Sequence, residues 1–222
     1  MIEWTLTNED RVSVLTMTSG ENKVSPETLD AWDEALDAVE GRGTAQSLII
    51  TGEDHYWSTG LDLDVVEAMS PLDQETFMIH LDRLLGRLLT APFVTIAALN
   101  GHAYAAGALL ALACDYRVMR NDRGFFCLPS VDIGIPFSEG MTALITGKLP
   151  QPTAHDLVIS CRRIGAKEAV RMGVVNRVED PMNVLPVARQ LGDAYGDKDP
   201  GTLGTVKHRM YADASRLLSH PA

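Results

Sequence analysis

The residues with the most chemical promise in this chain are small ones. Ala105, Ala106 and Gly107 stand where an apolar strand-like run turns directly into an apolar helix-like run, PFVTIAALNGHAYAAGALLALACD from Pro92 to Asp115. The first N–H groups of a helix have no intrahelical acceptor, and residues of this size do not keep a ligand oxygen away from them. Donors of this kind bind anions and stabilise charge that develops on a carbonyl oxygen. A second junction has the same form. SLIITG (Ser47 to Gly52) reads as a buried strand, and WSTGLDLDVVEAM (Trp57 to Met69) as a turn through Thr59 and Gly60 into a helix. One junction alone is better explained by close packing, whereas two at this separation could hold one oxyanion between them.

The elements that must position these loops can be read from periodicity. Ile2, Trp4 and Leu6, then Val12, Val14 and Met17, alternate with polar residues on either side of NEDR, which predicts a hairpin. Ser25 is a good N-cap with Pro26 behind it, and Leu29, Trp32, Leu36 and Val39 recur at helical spacing until GRG (Gly41 to Gly43), so Trp32 reads as a core anchor. Met78, Leu81, Leu85, Leu88 and Leu89 mark a helix that Pro92 stops, and Phe93 to Leu99 is the nearly unbroken apolar run of a strand buried on both faces. YRVM and GFFCL follow as short strands, and DIGIPFSEG as a loop. GAKEAVRMG reads as a helix, VVNRV as a strand, and Val184 to Tyr195 and Gly204 to Leu217 as closing helices. This alternation predicts an α/β fold of parallel βαβ units, although no sequence repeat is visible.

Bulk properties exclude several functions. With 222 residues, 45% hydrophobic and 22% charged, the chain can bury one substantial core. No apolar run approaches the roughly 18 residues of a membrane span, and MIEWTLT lacks the pattern of a secretory signal, so a cytoplasmic, membrane-free protein is expected. A net charge of −11 argues against nucleic acid. Cys114, Cys127 and Cys161 read as buried reduced thiols, and the histidines have no metal-ligand spacing, so no metal is expected. An anionic ligand would need a local basic cluster, drawn from Lys23, Arg120, Arg123, Lys148, Arg162, Arg163, Lys167, Lys207 and Arg209.

At TGEDHYWSTGLDLD, TIAALNGHAYAAGALLALACDYRVM, FFCLPSVDIGIP and RRIGAKEAVRMGVVNRV, four blocks in order, the chain resembles the enoyl-CoA hydratase/isomerase family, the crotonase superfamily, from about Ile2 to about Arg209. The resemblance implies a crotonase-like spiral of ββα units with a helical C-terminal tail. Residues 1–160 would form the core with the acyl-CoA site, and 161–222 a helical region that serves trimer or hexamer formation and part of the coenzyme A site. Family members hold the thioester oxygen between two backbone N–H groups, which here would be those of Leu61 and Ala106, with AAG in place of the usual GGG. Lys23, Thr59, Gly60, Asp62, Ala105, Gly107 and Ser130 would line the substrate site. Asp62 is expected to accept backbone N–H bonds that hold its loop. Coenzyme A enters as part of the substrate, with no separate cofactor.

Family hydratases use two glutamates, which would fall at Leu109 and Ser130; neither residue can serve as a carboxylate acid or base, so hydration is disfavoured. A Δ3-Δ2-enoyl-CoA isomerase of fatty acid metabolism needs only one base, and the block from Gly101 to Gly134 looks nearest to the plant and peroxisomal isomerases. Glu139 in PFSEG is the nearest surviving carboxylate in sequence, with helix capping near Met141 as its other possible role. Asp132 is the second candidate, two residues from Ser130 on what reads as a strand. Hydrolysis, decarboxylation or non-catalytic acyl-CoA binding are the alternatives.

Overall fold

The computed structural model describes residues 4–9, 11–42 and 46–220. The expected hairpin forms from β1 (Trp4–Glu9) and β2 (Val12–Met17), which pair antiparallel. Ile2, Asp10 of the turn and Gly43 of the GRG stop lie outside the described residues. Helix α1 (Pro26–Glu40) begins as predicted at Ser25, in a capping box with Thr28, and buries Leu29, Trp32, Leu36 and Val39.

Beyond this point the chain winds through similar turns. Each gives one strand to a long sheet, one short strand to a second sheet, and then helix. The first turn comprises β3 (Ser47–Gly52), β4 (Tyr56–Ser58), α2 (Leu63–Ala68) and α3 (Pro71–Leu89). The next comprises β5 (Val94–Leu99), β6 (His102–Tyr104) and α4 (Ala106–Ala113). The third comprises β7 (Tyr116–Arg120), β8 (Phe126–Cys127) and α5 (Ser130–Ile133). Stacking the turns gives a sheet of order β1-β2-β3-β5-β7 and a parallel sheet β4-β6-β8. This is a ββα spiral. The remaining elements are α6 (Glu139–Lys148), α7 (Gln151–Ser160), α8 (Ala166–Arg171), β9 (Arg177–Glu179), α9 (Val184–Tyr195), α10 (Pro200–Met210) and α11 (Ala212–Ser219). Strand β9 joins the long sheet beside β7, so the C-terminal region is part of the sheet as well as a set of helices.

The long sheet is covered on both faces, and the two-residue side-chain period of a strand decides which residue goes where. Leu48, Ile50, Ala97 and Leu99 face the core under α1, α3 and α4, while Ile49, Ile96 and Ala98 face a smaller core under Val184, Ala188 and Leu191 of α9. Each fully buried Leu or Ile contributes roughly 1.5–3 kcal/mol over an exposed one. Close stacking at the corners requires glycine: a Cβ on Gly101 would lie 1.9 Å from the His55 carbonyl oxygen.

Three local expectations are corrected. The segment Ser130–Ile133 is a single helical turn, not a strand, and it buries Ser130 while leaving Asp132 exposed. Helix α6 starts at Glu139, capped by the Ser138 hydroxyl, which accepts from Met141 N at 3.0 Å. The predicted helix from Gly204 to Leu217 is two helices, divided at Tyr211.

Candidate active site

The site forms where the first two turns of the spiral meet. Gly60 has φ +93°, which suits a residue without Cβ, and its neighbours are anchored as in a strand: Val24 N donates to Gly60 O at 2.7 Å and Asp62 N to Val24 O at 2.9 Å. Alternation along extended backbone then turns the Leu61 N–H away from Val24. In the second loop, Ala105 takes φ +48°, ψ −121°, its N–H donates to Cys127 O at 3.1 Å, and its carbonyl accepts from Leu109 N at 3.1 Å to open α4. No acceptor among the described residues takes the Leu61 or Ala106 N–H. The loops touch, since a Cβ on Gly60 would be 2.8 Å from Ala105 Cβ and 3.1 Å from Ala106 N. Two unoccupied amides on adjoining loops can stabilise a carbonyl oxygen as it becomes an enolate.

They open onto a cavity of about 380 Å³ with a mainly apolar wall. Thr59, Leu61, Ala105, Ala106, Leu109 and Ser130 line it, together with Met78, Leu81, Phe137 and Met141. Leu109 is 1% exposed, an apolar wall residue where the resemblance would put a glutamate, and the buried Ser130 hydroxyl donates to Ile135 O. Neither supplies a carboxylate. The charged residues in the wall are Asp132 and Arg163, the latter lying 5.4 Å over the Tyr104 ring.

Several predicted site residues do something else. Glu139 is exposed in the first turn of α6 and lies outside the cavity wall, because the helix begins two residues earlier than expected and turns it to solvent. Gly107 is buried away from the cavity; a Cβ there would come within 2.6 Å of Ser58 Cβ and O, so its role is to let β4 and α4 approach. Gly60 shapes the loop without itself lining the cavity. Asp62 accepts no hydrogen bond at its buried Oδ1 and instead lies 3.7 Å from Lys23 Nζ, correcting the loop-holding role. Lys23 and Asp62 line a separate polar cleft with Ser19, Glu21, Ser25, Glu27 and Thr28. Asp62 raises the Lys23 pKa most, opposed by desolvation, with Glu21 and Asp64 adding weaker effects in the same direction as Asp62. Lys148 and Lys207 are committed to internal partners, and Arg162 is paired with Asp156 and Glu168.

Sequence reading missed Asp82. It is 2% exposed on α3, next to the wall residue Leu81, and accepts from Ser138 Oγ at 2.9 Å. Burial pushes its pKa up to about 6, against the lowering effect of the Ser138 hydroxyl. The signal was available: position 82 falls between Met78 and Leu85 on the apolar stripe of its helix. Cys127 and Cys161 are buried as expected and also line the cavity, with Cys127 Sγ donating to Cys161 O at 3.1 Å. Desolvation, partly offset by Arg163, raises the Cys127 pKa, which suits a neutral thiol.

An α/β spiral with paired backbone donors at the head of an apolar cavity is the architecture that comparison with known proteins places in one family. The model of the enoyl-CoA hydratase/isomerase family matches residues 7–220, and the chain belongs to that family. Among relatives, enoyl-CoA delta isomerase 2, peroxisomal, of Arabidopsis thaliana is 33% identical over 226 residues, covering 96% of this chain and 94% of the relative. Enoyl-CoA delta isomerase 1, peroxisomal, of the same plant is 34% identical over 175 residues, 77% of this chain and 72% of the relative. The crystal structure of enoyl-CoA hydratase EchA3 from Mycobacterium ulcerans superposes with TM-score 0.89 at 24% identity, covering 97% of this chain and 94% of that one, and supports the fold. Among the described residues no helix is long and apolar enough to cross a membrane, and no group of His, Cys, Asp and Glu could hold a metal ion.

Proposed function

We propose that the protein is a Δ3-Δ2-enoyl-CoA isomerase that works through a thioester enolate held by the Leu61 and Ala106 N–H groups. The observation that carries this is the pair of unoccupied amides at a cavity where Leu109 and Ser130 replace the two carboxylates hydration would require. The identity to the Arabidopsis isomerases supports the same choice. Both Glu139 and Asp132 are exposed, but only Asp132 reaches the cavity wall, so the base passes to it. Its carboxylate takes a proton from C2 of a 3-enoyl-CoA, and the electron pair moves onto the thioester oxygen between the amides. The resulting dienolate collapses with the double bond between C2 and C3 while the Asp132 carboxyl returns the proton to C4. Coenzyme A arrives as part of the substrate and no other cofactor is needed. A cytoplasmic trimer or hexamer belongs to the same proposal.

The test is conversion of 3-hexenoyl-CoA to its 2-enoyl isomer. Wild type should turn over, Asp132→Asn should lose about 10²–10⁴ in kcat, and Glu139→Gln should stay within about twofold. Binding of the thioester without formation of the 2-enoyl isomer would overturn isomerisation in favour of a hydrolase, decarboxylase or acyl-CoA-binding protein.

A further inference from the structure

Helix α4, whose first N–H belongs to Ala106, is eight residues long, and its other end is buried in positive charge. Arg117 on β7, 4% exposed, donates to the carbonyl oxygens of Ala111 at 3.3 Å, Leu112 at 3.4 Å and Cys114 at 2.8 Å. Lys148, at the end of α6, donates to Cys114 O at 2.8 Å and lies 4.9 Å over the Tyr211 ring. Lys207 on α10, also 4% exposed, donates to Phe93 O at 2.7 Å and to Asp115 Oδ2 at 2.6 Å. Asp115 is the carboxylate that these contacts bring to the group. Three cations around one carboxylate, beside carbonyl groups, exceed what capping a short helix requires, because each buried charge costs free energy unless something uses its field.

We infer that Arg117 and Lys148, which hold the carbonyl end of α4, and Lys207, which holds Asp115 beside that end, are positioning residues for the oxyanion site and reinforce the positive potential at the amide end of the helix. This rests on the reading that Ala106 N–H receives the thioester oxygen. The cations cancel the negative pole of the helix and add their own field along it, and both effects favour an enolate at the far end. Burial lowers the Lys148 pKa to about 8, with Arg117 and, more weakly, Lys207 acting the same way against Asp115 and Cys114. The node therefore loses a charge just above neutral pH. Across α4 at 1.5 Å per residue, with the charges beyond either end, a unit charge roughly 17 Å away in an effective dielectric of about 20 changes enolate stability about fivefold.

Acetoacetyl-CoA provides a readout independent of turnover, because its enolate has its own near-ultraviolet absorption band. The equilibrium between bound keto and enolate forms should fall about fivefold in Lys148→Met and Lys148→Gln, the latter keeping a polar group near the Cys114 carbonyl, and stay within about 1.5-fold in Lys148→Arg at neutral pH. Wild type and Lys148→Arg should then separate as pH rises through about 8, where only the lysine discharges. Equal enolate equilibria in wild type and both neutral variants, or no separation of wild type from Lys148→Arg at high pH, would overturn the inference while leaving the oxyanion site intact. If wild type binds acetoacetyl-CoA with no gain in enolate over free solution, the oxyanion reading itself fails and takes this one with it.

Discussion

At the residue scale, the site separates groups that touch the cavity from groups that hold its wall. Ala106, Leu61 and Asp132 belong to the first kind, and Asp82 with Ser138 to the second. Asp82 also carries a pH signature. Its carboxyl has a folded pKa of about 6 against 3.8 for the unfolded chain, so the folded state binds more protons between those values. Stability from this group is therefore greatest in acid and declines as pH rises from about 4 to about 6. Asp82→Asn, which can still accept from Ser138, should raise stability by about 1–2 kcal/mol at pH 7 after discounting for solvent screening, and change it little near pH 4. Denaturant melts at the two pH values check this, and a variant less stable than wild type at pH 7 would show that the charge of Asp82 is wanted there.

At the scale of elements, α4 and the loop before it carry the account. Ala105 sits at φ +48°, ψ −121°, outside the regions an L-residue adopts readily. Strain of this kind costs about 1–3 kcal/mol, so Ala105→Gly should raise the melting temperature while keeping the amide of residue 106 in place. Gly107→Ala should do the reverse, because its Cβ would meet Ser58 Cβ and backbone oxygen at 2.6 Å. We expect a loss of about 1–3 kcal/mol in thermal unfolding together with weaker acyl-CoA binding, since over-packing would tilt α4 and its N-terminus. The strand-to-helix grammar of these elements was legible because it is local: a six-residue β5 that is apolar except for Thr95, small residues at the bend, and a helix to follow. Asp132 and Glu139 were misplaced for the converse reason. A single turn such as Ser130–Ile133 has too few residues to show a period, and the start of α6 depends on the Ser138 cap and on Asp82, 56 residues upstream.

On the scale of the molecule, the spiral was expected from resemblance and could not be seen as a repeat in the sequence. What recurs from turn to turn is geometry, a strand for each sheet and a tight corner, filled by different side chains each time. The net charge of −11 conceals internal cations, since Arg117 and Lys207 are buried and Lys148 is half-buried. Composition could not distinguish these from surface charges available to coenzyme A, because only the fold brings β7, α6 and α10 to the end of one helix. Contact between Gly60 and Ala106 is likewise a product of the whole winding, linking residues more than forty positions apart that no local pattern pairs.

The central claim is that one carbonyl oxygen is shared by the two loops, and a crystal structure of the protein with a bound non-reactive acyl-CoA analogue tests it most directly. The thioester oxygen should lie about 2.7–3.1 Å from both the Leu61 and the Ala106 nitrogen. A thioester oxygen that reaches neither nitrogen, or amides taken up by protein acceptors in the complex, would contradict it.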